Sequence, residues 1–406
     1  MVLDSASRAT IGGVENCGGT SYVAIMTSRP WVGASHFRAM ILWLSQFLIS
    51  PSGNDAARAA GASEVFLTSR IALATLMAFL VVVLLGPLAI RWLKLRFREK
   101  IASDSATLNE LHADKNDTPT MGGLFTMAAV LLSTVLFAEL SHPFIHIAVV
   151  AVLLLTGLGA WDDWTKQATT RNGLSARHKL VYQIVIALCI GLMMYVEQRS
   201  ASLGTNIVWP PVGLSVPLGG LFIGWAALVI VGSCNAVNLT DGLDGLAAGC
   251  TVLCGSAFCL LAYVSGHSIF ADHLQVPYFA GAGELAVVMG ALVGAKLGFL
   301  WFNGFPAQAF MGDAGSLPTG GLLAVAALLI RQEILLAIIG GVFVVETLSV
   351  IMQVGSYKLT GRRILRCSPL HNHFVFRGDP ETKIVMRFWI VAALLAIAGV
   401  ASLKLH

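Results

Sequence analysis

The chain has 406 residues, of which 56% are hydrophobic and only 12% charged, against roughly 25% charged in an ordinary soluble domain. That excludes a soluble enzyme, and repeated apolar runs of roughly 20 residues turn the length into membrane spans rather than separate domains. The formal net charge of +4 is too small and too dispersed for a nucleic-acid partner, so charge informs only through its placement along the chain.

Residues 1–39 are rich in Gly, Ser, Thr and Ala without periodicity and lack the parts of a signal peptide, so they are expected to be a disordered N-terminal extension. A short amphipathic segment opens at Met40 and ends near Pro51, too short to cross a bilayer. Apolar runs then predict ten spans, near 70–90, 120–138, 143–161, 180–197, 218–233, 244–264, 284–302, 314–330, 334–352 and 386–404. The expected fold is an all-α integral membrane protein, a polytopic bundle of ten transmembrane helices. Cys250, Cys254 and Cys259 have helical spacing inside one span with no histidine nearby, which predicts core thiols rather than a metal site.

The connections after the first, third, fifth, seventh and ninth spans hold the polar motifs, which therefore share one face. The same connections carry the basic residues, among them Arg91, Lys94, Lys115, Lys166, Arg177, Lys358, Arg362 and Arg366. The positive-inside rule makes that face cytoplasmic and puts both termini outside. No internal repeat is visible, which argues against a transporter built from inverted halves.

In the first of these loops, Thr118-Pro119-Thr120-Met121-Gly122-Gly123 can turn backbone N–H groups and hydroxyls toward an anion, with Lys115 adding a positive charge. A helix cap followed by two packing glycines explains the same residues. The second, Trp161-Asp162-Asp163-Trp164-Thr165-Lys166, sets two carboxylates side by side at the end of a span. Such a pair repels unless it shares a cation, and Mg²⁺ takes one or two carboxylates together with phosphate oxygens. The alternative is a solvated helix end with Lys166 as an anchor.

Asn235-Ala-Val-Asn238-Leu-Thr240-Asp241-Gly242-Leu-Asp244-Gly245 interrupts apolar sequence on both sides. Polar groups at membrane depth are expensive, so a functional site is the default reading. The fourth loop, from Trp301 through Asn303 and Phe310 to Ser316, holds Asp313 between glycines, as a metal ligand or as an N-cap. Its aromatic residues suit a uracil-like group or simple packing. In the fifth loop, His371 and His373 alternate and cannot form an i, i+4 zinc pair, which leaves phosphate or sugar contact, proton transfer, or bare surface. Glu346 and Gln353 lie two turns apart on one helix face, and Lys296 is expected to snorkel to the cytoplasmic interface.

From about Met40 to His406 the chain resembles the phospho-N-acetylmuramoyl-pentapeptide-transferase family, within the polyprenyl-phosphate N-acetylhexosamine-1-phosphate transferase superfamily. The stretches that carry the resemblance are Thr118–Gly123, Asn235–Ala247, Phe299–Asn303 with Pro306–Gln308 and Phe310–Asp313, and Gly340–Val350. Residues 40–406 then form a single transferase domain, and residues 1–39 an extension or the product of an upstream start codon. The resemblance implies transfer of phospho-MurNAc-pentapeptide from UDP-MurNAc-pentapeptide to undecaprenyl phosphate, with Mg²⁺, in a bacterial inner membrane. It implies periplasmic termini, surrounding membrane lipid and a homodimer.

Carried over by position, Asp162 and Asp163 serve the lipid phosphate and catalysis, and Asp313 binds Mg²⁺, with the aspartate pair as further metal ligands. Asn238, Asp241, Asn303, Phe310, Gln353 and His373 shape the nucleotide pocket. Beside them, Lys166 and His371 are further catalytic candidates with Asp162, Asp163 and Asp313, and Lys115, Thr120, Asn235 and Asp244 further substrate-binding ones. The chain departs from the family at Asn372, where a third histidine is usual, at Val375, where an acid is usual, at Asp117, where a glycine is more usual, and at Lys296, where a small residue is usual. Asn372 cannot titrate near neutrality. That departure keeps transfer of GlcNAc-1-phosphate from UDP-GlcNAc as the alternative, with a lipid or solute transporter as the competing class. Within the transferase reading, direct in-line attack by the lipid phosphate is favoured over a covalent intermediate on Asp162 or Asp163.

Overall fold

The computed structural model describes residues 67–96, 118–168, 173–201, 203–209 and 212–404. Lys115, Asp117, the 1–39 segment and the amphipathic segment at Met40 lie outside the described residues. Eight described helices are long and apolar enough to cross a membrane, which makes the chain a mostly helical, multi-pass membrane protein. They are α1 (Leu67–Arg96), α3 (Pro143–Ala168), α4 (Ala176–Gln198), α5 (Phe222–Thr240), α6 (Leu246–Ser265), α8 (Ala282–Asn303), α11 (Gly341–Thr360) and α13 (Glu381–Ala401). Where the second and eighth spans were predicted there are two shorter apolar helices, α2 (Gly123–Phe137) and α9 (Asp313–Leu329).

The predicted ninth span is broken. Helix α10 (Glu333–Ile339) ends at Gly340 and α11 begins at Gly341. The sequence is apolar on both sides of Gly340, so hydrophobicity carries no mark of the break, whereas paired glycines weaken the helix at that point. Two strands and two short helices have no counterpart among the predicted spans. Strands β1 (Asn206–Trp209) and β2 (Leu214–Pro217) form an antiparallel hairpin, and α7 (Ser268–His273) and α12 (Leu370–Val375) are single short helices.

Helices α8 and α9 form the centre. Every residue of α9 is buried, and α8 is buried along nearly its whole length between α1 and α6. Gly290, Gly294 and Gly298 recur every fourth residue on α8 and face α1. A side chain on Gly298 would meet the Phe79 carbonyl at 2.9 Å, and one on Gly290 would meet Thr75 Oγ1 at 2.7 Å. Small residues at this spacing let two helices approach to backbone contact, the main source of association where lipid is as apolar as the interface.

Outside this core the apolar surface is extensive. Leu84, Leu88 and Leu95 on α1, Leu228 on α5 and Leu394 and Ile397 on α13 are all exposed, as expected of helices that face hydrocarbon. The cysteines behave as expected: Cys250 and Cys254 are free and buried, and Cys259 is half-buried, its thiol donating to the Ala286 carbonyl at 3.3 Å.

Candidate active site

The polar motifs converge where α3 meets the start of α9. Gly159 makes the junction: a side chain there would strike the Asp313 and Ala314 backbone, so its absence lets α3 lie against α9. One turn later α3 presents Asp162 and Asp163, both buried. At the facing end of α9, Gly312 has φ 67° and ψ 179°, a region essentially restricted to glycine. A Cβ there would fall 2.6 Å from Asp163 Oδ2 and 2.9 Å from Thr120 Oγ1. Asp313 is therefore the first residue of the helix and not its N-cap, and its carboxylate joins the aspartate pair. One oxygen from each of Asp162, Asp163 and Asp313 lies within 4.8 Å of the others.

Three buried carboxylates this close repel strongly unless balanced. Lys166 Nζ donates to Asp313 Oδ2 at 2.8 Å and Asp163 Oδ1 at 3.3 Å, and lies 3.1 Å from Asp162 Oδ2. Lys179 Nζ donates to Asp313 Oδ2 at 2.6 Å and Asp162 Oδ2 at 3.2 Å. Lys179 has no place among the sequence-derived candidates. It stands in the first turn of α4, where Ser175 Oγ accepts from the His178 N–H at 3.4 Å and caps the helix. The preceding Leu174 N–H donates to Asp162 Oδ1 at 2.7 Å, fastening the start of α4 to the end of α3. Ala314 N–H donates to Asp163 Oδ2 at 2.9 Å, and Asn238 Nδ2 donates to Asp313 Oδ1 and, at 2.8 Å, to Ser316 Oγ.

This donor set fits a divalent cation. Carboxylate oxygens are the ligands such an ion takes, and two ammonium groups already gather on Asp162 Oδ2 and Asp313 Oδ2. Positive charge is what those two oxygens demand.

The remaining predicted residues divide by what they touch. Thr120 is buried beside Gly312. The Gly122 and Gly123 N–H groups donate to the Phe310 and Met311 carbonyls, both at 2.8 Å, while Phe310 N–H donates to the Pro119 carbonyl at 2.8 Å. The glycine pair thus seats the segment leading to Asp313, and these N–H groups do not turn toward an anion. Phe310 itself is half-buried. Asp241 is half-buried on the turn after α5, and Asp244 Oδ2 accepts from Ala307 N–H at 3.0 Å. Asn303 Oδ1 accepts from Gly245 N–H at 3.1 Å and its Nδ2 donates to the Ala309 carbonyl at 2.9 Å. Asn303 and Asp244 therefore tie two motif loops together. Asn235 stands apart, donating to Gln183 Oε1 at 2.7 Å on α4 and to the Val231 carbonyl at 2.8 Å.

The histidine motif forms α12. His371 is buried, its backbone N–H donating to Glu346 Oε1 at 3.1 Å and its Nδ1 lying 3.2 Å from Glu346 Oε2. On its other side, a side chain on Gly242 would strike His371 Nε2. His373 is half-buried and its Nδ1 accepts from Arg366 N–H at 3.2 Å. Gln353 Oε1 accepts from the Ile364 and Leu365 N–H groups at 3.0 and 2.9 Å, and its Nε2 donates to the Leu365 carbonyl at 3.0 Å. Gln353 and Glu346 therefore hold the fifth loop against α11. Lys296 does not snorkel: it is fully buried, and its Nζ meets Met311 Sδ at 3.1 Å.

The family profile of Glycosyl transferase family 4 matches residues 145–331, the stretch from α3 to just past α9 that builds the acidic cluster. Two curated relatives, from Nitratidesulfovibrio vulgaris strain DP4 and from its strain ATCC 29579 (Hildenborough), are each 48% identical over 348 residues, covering 84% of this chain and 94% of their own length. Both carry the name phospho-N-acetylmuramoyl-pentapeptide-transferase. The chain belongs to the phospho-N-acetylmuramoyl-pentapeptide-transferase family.

Proposed function

We propose that the protein transfers phospho-MurNAc-pentapeptide from UDP-MurNAc-pentapeptide to undecaprenyl phosphate, giving undecaprenyl-diphospho-MurNAc-pentapeptide and UMP. The observation that carries this reading is the 48% identity across nearly the whole length of relatives bearing that activity's name. The buried carboxylate cluster with its two lysines supports it, because both substrates are phosphate anions that repel one another.

Asp162, Asp163 and Asp313 would hold Mg²⁺, which when bound supplies positive charge to the phosphates of both substrates. Lys166 and Lys179 carry the ammonium groups that reach the same carboxylate oxygens, and they draw the anionic substrates in. Asn238 fixes Asp313 in place. An acceptor phosphate oxygen attacks the β-phosphorus of the donor in line, forming the new P–O bond as the P–O bond to UMP breaks. A phosphate with a second pKa near ~6 is mostly ionised at neutral pH and needs little help from a base. Asp241, Phe310, Asn303, Gln353 and His373 frame the nucleotide, with Thr120, Asp244 and His371 around them.

An apolar groove of about 400 Å³ runs between α5 and α11, lined by Trp225, Val237, Leu323, Phe343, Val344 and Leu348. One wall of the groove is α5, the helix whose Asn238, next in sequence to the lining residue Val237, bonds to Asp313. The groove suits the prenyl chain of the acceptor, with the headgroup at the cluster. The two shorter helices α2 and α9 complete ten crossings of the bacterial inner membrane. In this reading residues 40–406 are one transferase domain that pairs as a homodimer, its motif face cytoplasmic and its termini periplasmic.

The test is the mass of the lipid product made by purified protein from undecaprenyl phosphate and Mg²⁺, with UDP-MurNAc-pentapeptide or UDP-GlcNAc as donor. A prenyl diphosphate bearing MurNAc-pentapeptide, and none bearing GlcNAc, is expected. A GlcNAc-bearing product alone would move the protein to the sister activity, for which Asn372 is the motivating residue.

A further inference from the structure

Glu346 is a carboxylate on α11 that the transfer centre does not use. It is fully buried, and both of its oxygens turn to one residue of α12. Oε1 accepts from the His371 backbone N–H at 3.1 Å, and Oε2 lies 3.2 Å from His371 Nδ1. The approach to Nδ1 is a contact of charge rather than an aligned hydrogen bond. A buried carboxylate is costly unless it is paired. When ionised it has no hydrogen to offer, so it favours the imidazole proton on Nδ1 and holds that edge of the ring toward α11.

The opposite edge of the ring meets the turn between α5 and α6. His371 Nε2 is buried without a hydrogen-bond partner among the described residues. A Cβ on Gly242 would strike it and fall 2.8 Å from His371 Cε1. Gly242 stands between the two aspartates of that turn, Asp241 and Asp244. The later half of the turn is fastened from α8 and α13. Asp244 Oδ2 accepts from Ala307 N–H at 3.0 Å, Gly245 N–H donates to Asn303 Oδ1 at 3.1 Å, and the Gly245 carbonyl accepts from Trp389 Nε1 at 3.3 Å. The earlier half, which carries Asp241, has the His371 ring against it at Gly242.

We propose that Glu346 is a positioning residue of the donor site: by holding the Nδ1 edge of His371, it sets the opposite edge of the ring against Gly242 and so fixes the place of Asp241 on the turn. The proposal rests on the donor-binding reading of Asp241 given above. It also accounts for the glycine at position 242, where the ring leaves no room for a side chain.

The test is a cycle of four proteins, wild type, Glu346→Gln, His371→Ala and the double variant. Each is read by calorimetry for its Kd toward UDP-MurNAc-pentapeptide, with Mg²⁺ and without acceptor, well below its melting temperature in detergent. Glutamine keeps the size of Glu346 but can turn an N–H to the ring, so the single favoured orientation of His371 is lost. Glu346→Gln is expected to weaken donor binding about tenfold by itself and to add nothing in the His371→Ala background, the non-additivity of residues that act through one another. A purely structural role would lower the melting temperature and leave Kd where it was. An unchanged Kd in Glu346→Gln, or the same loss in both backgrounds, would overturn the proposal. Should Glu346→Gln not fold, Glu346→Asp, which keeps the charge but draws it back by one methylene, takes its place with the same non-additive loss expected. If the wild type binds this donor but makes no lipid product, the proposed function fails by itself while the cycle still decides the role of Glu346. If the wild type does not bind this donor, both fall.

Discussion

Lys179 Nζ lies 2.6 Å from Asp313 Oδ2, joining residues 134 positions apart on two helices. With Lys166 it sets two ammonium groups against three carboxylates, and the excess of negative charge that remains is what a divalent cation or a further positive group would balance. Lys179 is the more buried of the two lysines, its side chain 17% exposed against 37% for Lys166. It is also the one held on a capped helix end.

Lys179→Met keeps most of the side-chain volume and removes the charge. The expected result is a fall in kcat of about 10²-fold, the scale for loss of one preorganised charge at a transfer centre. The KM for the prenyl acceptor is expected to change less than kcat. Steady-state kinetics with UMP release as the signal measures both.

The acidic centre was legible in the sequence because carboxylates at the end of an apolar run are expensive unless they work together. Asp162, Asp163 and Asp313 meet as that argument requires. Lys179 was not legible, since a lysine in the first turn of an apolar helix has the same signature as a positive-inside anchor. Lys296 misled for a related reason. Its distance from the end of α8 permits snorkelling, but the side chain lies on the helix face packed inside the bundle, and one sequence does not say which face that is. The Thr118–Gly123 motif was found for its glycines, yet their N–H groups seat Phe310 and Met311. Such backbone pairing between distant loops leaves no pattern in composition or period.

Gly312 is the backbone position on which the cluster depends most. Gly312→Ala would place a methyl group against Asp163 Oδ2 and Thr120 Oγ1 in a conformation that only glycine adopts readily. A loss of about 1–3 kcal/mol of stability is expected. Activity measured well below the melting temperature is expected to fall as well, because the carboxylates must move apart. Thermal melts in detergent, run beside initial rates, separate the two effects.

A contrasting case is the buried pair at the other end of α8. Arg70 donates to Glu284 at 3.0 and 2.5 Å, and Glu284 also accepts from Glu139 N–H at 2.7 Å. Glu284 is 19 residues before Asn303, about 28 Å along the helix axis. Glu284→Gln removes the carboxylate from the buried Arg70 and is expected to cost about 3–5 kcal/mol in stability. At low temperature the folded variant is expected to keep wild-type KM and kcat, which thermal melts and initial rates on one preparation would check.

The most direct test of the account is UMP release from UDP-MurNAc-pentapeptide with undecaprenyl phosphate, comparing wild type, wild type with EDTA, and Asp313→Asn with added Mg²⁺. The account predicts steady release by the wild type, arrest by EDTA with recovery on excess Mg²⁺, and a loss of about 10²-fold or more in the variant, assayed well below its melting temperature. Release that ignores EDTA, or a folded Asp313→Asn protein working at the wild-type rate, would contradict it.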